Sequence, residues 1–350
     1  MGLRHVPLAR AGFAAVAAVS AALSVSPAAA QTPVKVALDG GVTGPSAPFF
    51  LAQDNGYYRA GRLDVSIDTT SPALEAITRV TSGAADLALA DINTVMKYRD
   101  QNPGAPVKAV FMVYNDPPYA IIARKSRGIA TPKDLEGKRL GAPTAEAASA
   151  QWPLFAKLNG IDVSKVKIEN VAPAVREPML AAGQVDAITG SKLSAYLDLK
   201  ERGVPLNDLV ILPMADYGVR LYGDAIVVNT KFASENPDAV KAFLAAYLRG
   251  LKATIREPAR AVDAVIKRNE AAKKDVELER LRMALRDNIL TEEVQANGLG
   301  GVDAARFAKA IDQLSETFKF KTKPEPSEVF DSSFLPPAQN RRVNALQRPG

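Results

Sequence analysis

Side chains suited to holding a small molecule recur in short loops that follow apolar segments of the sequence. Carboxylates, amides and hydroxyls in such loops exchange hydrogen bonds with a ligand, and aromatic rings pack against a flat one. The set is acidic and aromatic as much as basic, which favours a flat, nitrogen-bearing ligand over a bare inorganic anion. The candidates are Asp39, Thr43, Ser46, Phe49, Ser71, Asp91, Asn93, Tyr114, Asn115, Asp116, Thr144, Glu146, Thr189, Tyr217 and Arg220.

The densest group of candidates is the segment from Tyr114 to Tyr119. Its two tyrosines can sandwich a ring, while the amide of Asn115 or the carboxylate of Asp116 fixes the edge of that ring. Two prolines follow and stiffen the chain. The alternative interpretation is a plain rigid linker between two parts of the fold.

Other candidates also have purely structural interpretations. Asp91 precedes one predicted helix and Glu146 lies in the first turn of another, and in both places a carboxylate stabilises the N-terminus without any ligand. The Gly40–Gly44 loop could hold a phosphate or simply permit close backbone approach, and it lacks the lysine of a P-loop. Arg220 could pair with a ligand carboxylate or sulfonate, or with an acidic neighbour. The residue types alone leave these alternatives open.

The residue types that most enzymes use are scarce here. The 350-residue chain has no cysteine, and its only histidine is His5. Catalytic dyads, thiol nucleophiles and most transition-metal sites therefore lose their usual residues. We expect a binding protein without cofactor or metal rather than an enzyme. The formal charge is +6, and basic and acidic residues are interspersed along the chain. This pattern indicates a solvated surface and no nucleic-acid partner.

Strands are predicted to alternate with helices between residues 34 and 229, which indicates mostly parallel sheets with helices on both faces. In such sheets ligands bind beyond the carboxyl ends of the strands, where most of the candidates fall. One predicted helix runs over 145–159. Long helices are expected near 237–257, 259–271, 275–288 and 303–317, followed by an irregular, proline-rich tail.

The pattern forms two α/β blocks that the chain joins twice, near Val113–Tyr119 and near Val219–Val228. The second block is therefore predicted to be inserted into the first. This gives one discontinuous lobe of residues 31–116 and 223–345, and a second lobe of residues 117–222. A hinge and a cleft follow from such a layout.

The first thirty residues have the pattern of a secretory signal peptide. Arg4 and Arg10 precede an apolar run over 11–25, and small residues occupy positions 28–30. The run is about fifteen residues long, shorter than the roughly twenty that span a bilayer. We expect cleavage after Ala30 and a periplasmic protein, without a lipid anchor because no cysteine follows.

Several segments together resemble the nitrate, sulfonate and taurine class of ABC-transporter substrate-binding proteins, which includes relatives that bind thiamine-pyrimidine precursors. The similar segments, in the same order, are 47–58 (APFFLAQDNGYY), 63–65 (LDV), 82–88 (SGAADLA), 131–141 (TPKDLEGKRLG), 183–188 (GQVDAI) and 236–243 (NPDAVKAF). They cover nearly the whole chain after residue 30. None of them is specific for one ligand.

The resemblance implies a type II periplasmic-binding fold, in which two α/β lobes with mixed, mainly parallel sheets are joined by two hinge strands. It also implies a small organic ligand in the cleft (a sulfonate, a pyrimidine or another aromatic or heterocyclic compound), a monomer, and an ABC permease with its ATPase as partner. Delivery of the ligand to a membrane receptor is an alternative. Some proteins of this fold synthesise the thiamine pyrimidine with histidine, cysteine and iron, which is the less favoured third possibility.

Overall fold

The structure is a computed structural model that describes residues 1–3, 30–70, 73–144 and 146–343. Ser71 and nearly all of the predicted signal peptide lie outside these residues. The fold below is that of the compact unit Gln31–Gly350. None of the helices described has the length and apolarity to span a bilayer.

Two mixed sheets organise the described part of this unit. The first has the strand order β2-β1-β3-β10-β4 and the second has the order β7-β6-β8-β5-β9. The strands are β1 (Thr32–Asp39), β2 (Leu63–Thr70), β3 (Leu87–Asp91), β4 (Val107–Met112), β5 (Tyr119–Arg124), β6 (Arg139–Gly141), β7 (Lys167–Glu169), β8 (Ala187–Ser191), β9 (Leu209–Pro213) and β10 (Asp224–Asn229).

Helices cover the sheets and form the C-terminal part of the chain. They are α1 (Ala47–Asp54), α2 (Tyr57–Ala60), α3 (Ala73–Ser82), α4 (Ile92–Gln101), α5 (Ala147–Ala150), α6 (Trp152–Leu158), α7 (Arg176–Ala181), α8 (Lys192–Glu201), α9 (Thr230–Glu235), α10 (Pro237–Arg256), α11 (Pro258–Ile266), α12 (Lys274–Ala284), α13 (Glu292–Asn297), α14 (Ala304–Phe318), α15 (Pro326–Val329) and α16 (Ala338–Arg341). A π-helical turn over Leu285–Ile289 continues α12, and short 3₁₀ turns lie at Gly44–Ser46, Lys125–Arg127, Pro132–Leu135, Val163–Lys165, Pro173–Val175, Met214–Tyr217 and Ser332–Phe334.

Each sheet contains one strand that runs against its neighbours. In the first sheet β10 is antiparallel to β3 and β4, and in the second β5 is antiparallel to β8 and β9. Both strands directly follow a crossing between the sheets. A chain that arrives from the other sheet enters at the facing edge, so it must run opposite to the strands that end there. The cleft edges therefore combine carboxyl ends of parallel strands with the amino ends of β5 and β10.

Two local predictions differ from the structure. The single helix predicted over 145–159 is divided into α5 and α6 at Gln151, because Pro153 cannot donate the backbone hydrogen bond that a continuous helix needs. The tail predicted to be irregular contains α15 and α16. Phe330, buried there, forms a bridge with Ala109 of β4, so burial of an aromatic side chain orders this segment.

The C-terminal helices pack against helices that cover the first sheet and against helices that cover the second. The long helix α10 packs on α1, and Phe49 lies against Tyr247 with ring centroids 4.5 Å apart. Farther along, α12 reaches α8 and α14 reaches α6. The chain end therefore links the two lobes in addition to the strand crossings.

Candidate functional site

A cleft of about 800 Å³ lies where the facing edges of the two sheets meet. Strand ends, the loops after them and the starts of α5 and α8 form its walls, as the rule for open α/β sheets predicts. The volume falls within the range of small-molecule sites. Of the residues named from the sequence, those on its walls are Asp39, Thr43, Ser46, Tyr114, Thr144 and Glu146.

The remaining named residues lie away from this wall, except Ser71, which is outside the described residues. Phe49 is in the core, Thr189 is buried and shares a 2.5 Å hydrogen bond with Ser149, and Tyr217 packs edge-on against Phe155. Asn115 and Asp116 belong to the network on the outer side of the crossings described below, and Arg220 lines the cavity beside it. Asp91 and Asn93 lie just beneath the cleft floor.

The floor is built around three aspartates on adjacent strands of the first sheet. Asp39 ends β1, Asp91 ends β3, and Asp224 begins β10 directly opposite Asp91. Neighbouring strands are about 4.8 Å apart, so three carboxylates are concentrated at one edge. Asp39 and Asp224 are half-buried and line the cleft.

Within the described residues, hydrogen-bond donors reach only one of these three carboxylates. Asp91 accepts hydrogen bonds from the Thr94 backbone at 2.7 Å and hydroxyl at 2.8 Å, from Asn93 Nδ2 at 3.2 Å, and from the Tyr119 hydroxyl. It caps α4, as the sequence predicts. Asn93 also donates to the Tyr222 carbonyl at 2.7 Å. Asp91 and Asn93 thus hold the floor together.

Burial raises the pKa of each floor aspartate. Burial raises the pKa of Asp39 to about 7, with further contributions from Asp91 and Glu146. Burial, followed by Asp39 and Asp91, raises the pKa of Asp224 well above its usual range. For Asp91, burial also raises the pKa, but its hydrogen bonds oppose the change. The floor can therefore exchange protons near neutral pH.

The opposite wall carries a charged group that is already paired. Glu146, at the start of α5, contacts Arg176, and Arg176 also lies 2.8 Å from Glu177. The Arg176 side chain is only 7 % exposed, so its charge is held by the two glutamates. This arrangement leaves little attraction for an added anion.

A second arginine reaches the cleft from the C-terminal helices. Arg280 of α12 lies 3.4 Å from Glu277 and donates to Ser194 of α8 at 3.1 Å. Glu277 also accepts the Gly44 backbone N–H at 2.6 Å. A Cβ atom on Gly44 would overlap the Glu277 carbonyl oxygen, so in this structure the glycine permits close approach of α12.

Two tyrosines supply the aromatic surface of the cleft. Tyr114 comes just after β4, and Tyr119 begins β5, so the first strand crossing positions both. Each is about 5 % exposed, and burial raises the pKa of each phenol well above its usual range. They are therefore neutral rings suited to packing against a flat ligand.

Outside the crossings, Arg306 of α14 holds both connecting segments. It donates to the Asn115 carbonyl and the Asp116 carboxylate at 2.7 Å, and to the Leu221 carbonyl at 2.9 Å. It also donates to Glu293 at 2.9 Å and lies over the Tyr222 ring. We call these six residues the hinge clasp. A second cavity of about 1060 Å³, lined in part by Arg220, borders it.

Sequence reasoning did not name three ionisable residues of the cleft. Asp224 begins a strand, whereas the rule used looks for strand ends. Arg176 lies in a short helix, and Arg280 comes from a C-terminal helix far along the chain. The antiparallel entry of β10 after a crossing is the signal that could have revealed Asp224.

The chain is similar in sequence to two curated binding proteins. It is 26% identical over 297 residues to the riboflavin-binding protein RibY of Chloroflexus aurantiacus, covering 83% of this chain and 82% of that protein. It is 26% identical over 273 residues to the formylaminopyrimidine-binding protein of Halalkalibacterium halodurans, covering 76% and 79%.

Solved structures share the two-lobed fold. The periplasmic aliphatic sulphonate binding protein SsuA from Escherichia coli superposes with a TM-score of 0.68 at 13% identity, covering 85% of this chain and 97% of that one. The type II periplasmic-binding fold expected from the resemblance is thus confirmed. The model of the family described as NMT1/THI5 like matches residues 44–261. This protein therefore belongs to the NMT1/THI5-like family.

Proposed function

We propose that this protein is the periplasmic solute-binding component of an ABC importer and captures a small, flat organic molecule between its lobes. The observation that carries the proposal is the cleft of about 800 Å³, lined from both sheets by carboxylates and tyrosines. A concave site with aromatic walls and few polar groups is the usual form of a small-molecule site. Release of the molecule to a permease with its ATPase completes the role.

The proposed lobes are residues 31–116 with 223–345, and residues 117–222. Ligand capture then corresponds to closure about the segments 113–118 and 218–223. Ion pairs between α8 and α12 support a closed form, with Lys200 2.8 Å from Glu279 and Lys273 2.7 Å from Glu201. These helices border the cleft through Ser194 and Arg280.

The ligand class is supported by the names of the relatives. One is a riboflavin-binding protein and the other a formylaminopyrimidine-binding protein, and both of these ligands are flat nitrogen heterocycles. The neutral phenols of Tyr114 and Tyr119 fit such rings. We therefore favour a nitrogen heterocycle over a sulfonate, and we place the protein in the periplasm after removal of residues 1–30.

Thermal unfolding with a ligand panel tests this proposal. A ligand that binds only the folded state raises the Tm as its concentration increases. We expect a rise with riboflavin, formylaminopyrimidine or a related heterocycle, and a smaller one with alkanesulfonates or nitrate. Fluorescence titration would confirm binding of a flavin. No rise with any member of the panel would contradict the proposal.

Two further assays separate this role from its alternatives. A receptor-delivery protein would bind the same ligand but would not stimulate ATP hydrolysis by the cognate permease in vesicles, whereas an importer component would. A pyrimidine-synthesising enzyme would convert its substrate. Because the only histidine is His5 and there is no cysteine, we expect the bound ligand to be recovered unchanged by mass spectrometry.

A further inference from the structure

The three floor aspartates differ in how their hydrogen bonds are satisfied. Asp91 receives four donors from its own lobe and from Tyr119, the first residue of β5. Asp39 and Asp224 receive no side-chain hydrogen bond and no ion pair from any residue that the structure describes. Carboxylates set into a protein wall normally have such partners. Both side chains are partly exposed to the cleft, so whatever occupies the cleft, ligand or solvent, supplies their donors.

The charges of the two arginines on the cleft walls are each paired with glutamates. Arg176 is held between Glu146 and Glu177, and Arg280 lies against Glu277. At the 3₁₀ turn Gly44–Ser46, the Gly44 N–H is also occupied, because it donates to Glu277. An anionic ligand would therefore meet two unpaired carboxylates and no unpaired cation of the described wall.

We infer that the ligand carries a cationic, N–H-rich group, such as an amidinium, a protonated aminoheterocycle or an ammonium, and that Asp39 and Asp224 bind it jointly from β1 and β10. Resting on the proposed function, this inference adds the charge and hydrogen-bonding class of the ligand. Two carboxylates on neighbouring strands match a group that donates in two directions. Tyr114 and Tyr119 then face the attached ring.

The pH dependence of ligand affinity gives a second test of the inference. The groups that face Asp39 are Asp91, Asp224 and Glu146, and the two nearby arginines are already paired with glutamates. Burial and these acids raise the pKa of Asp39 to about 7. A cation is bound by the ionised form, so its affinity should increase as the pH rises through about 7 and its binding should release protons.

Three benzene derivatives of nearly equal size and shape test the charge class. Benzamidine is cationic, benzamide is neutral and benzoate is anionic, and each is titrated into the protein by calorimetry at pH 6 and pH 8. We expect affinity to fall in the order benzamidine, benzamide, benzoate. Asp39→Asn and Asp224→Asn should each weaken benzamidine binding by roughly 10- to 100-fold, the effect of losing a charged acceptor.

The matched control is Asp64→Asn, since Asp64 lies on the solvent side of β2, away from the cleft. This variant should keep the affinity order of the unaltered protein. Asp39→Asn should also abolish the increase in benzamidine affinity between pH 6 and pH 8. If Asp224→Asn does not fold, Asp39→Asn and the pH series still decide the matter.

Any one of three results would overturn the inference. They are tighter binding of benzoate than of benzamidine, unchanged benzamidine affinity in Asp39→Asn, or no binding of any of the three up to millimolar concentration. Each result leaves the proposed function intact if a member of the ligand panel still raises the Tm. Failure of the whole panel would instead remove the proposed function.

Discussion

The raised pKa of Asp39 makes the stability of the folded protein depend on pH. In the unfolded chain its carboxyl ionises near 3.8, whereas in the folded protein its pKa is raised to about 7 by burial and by Asp91 and Glu146. The unfolded state therefore binds fewer protons between these values, and the free energy of unfolding falls as the pH rises from about 4 to about 7. The ligand-free site lowers stability at neutral pH.

Asp39→Asn should therefore stabilise the ligand-free protein at pH 8 while leaving its stability at pH 4.5 nearly unchanged. One pKa unit corresponds to about 1.4 kcal/mol. Since Asp39 is partly exposed to the cleft, we expect a gain of about 1–2 kcal/mol at pH 8, reduced from the full value by solvent screening. Urea unfolding at the two pH values measures it. Equal stability of both proteins at pH 8 would contradict the argument, and Asp64→Asn serves as the control.

At the scale of elements, the hinge clasp joins helix α14 to both connecting segments. The Arg306 guanidinium donates hydrogen bonds to Asp116, to Glu293 and to two backbone carbonyls. Glu293 also accepts the Tyr222 hydroxyl at 2.8 Å and Asn115 Nδ2 at 3.0 Å. Loss of the arginine removes the donor to the Asp116 carboxylate and the two backbone carbonyls and leaves Glu293 without its paired charge, which costs more than loss of an exposed ion pair.

Arg306→Ala should lower the free energy of unfolding by about 2–4 kcal/mol. Arg306→Lys should recover only part of this, because a lysine ammonium cannot reproduce the planar fork. The control is Arg220→Ala. Arg220 is an exposed arginine that lines the same cavity, and its side chain makes no hydrogen bond with the described residues. Chemical denaturation measures the free energy of unfolding of each variant. An equal decrease in Arg306→Ala and Arg220→Ala would refute this role of the hinge clasp.

At the scale of the whole molecule, the lobes are joined by strands, by the clasp and by ion pairs between α8 and α12. The pairs Lys200–Glu279 and Lys273–Glu201 are exposed, so each contributes little to folding. Their place beside the cleft gives them a different effect. On the proposed function, they should favour the closed form and thereby the retention of ligand.

Glu279→Lys together with Glu201→Lys should weaken binding of the best ligand from the panel several-fold, because lysines then face lysines across the cleft. Small-angle scattering should also show a more open ligand-free protein at low salt than at high salt, where the charges are screened. The control is Glu235→Lys, an exposed change on α9 outside the cleft. Unaltered affinity and shape in the double variant would contradict the closure model.

Much of the architecture followed from local patterns, because alternating apolar segments and capping residues act over short distances. The cap at Asp91 lies where the sequence predicts it. The cleft set was harder to predict because its members meet only in the folded chain. Helix α12 brings Glu277 to Gly44, more than two hundred residues away in sequence, and places Arg280 beside Glu277, and no spacing rule encodes that approach.

The position of β10 sets the order in which the chain can fold during synthesis. This strand lies between β3 and β4, so the first sheet has an unfilled gap until residue 229 has left the ribosome. The second sheet is complete at Pro213. The inserted lobe can thus acquire its native pairing first, and the interrupted lobe closes around a strand delivered last, with the edges of β3 and β4 open to wrong partners until then.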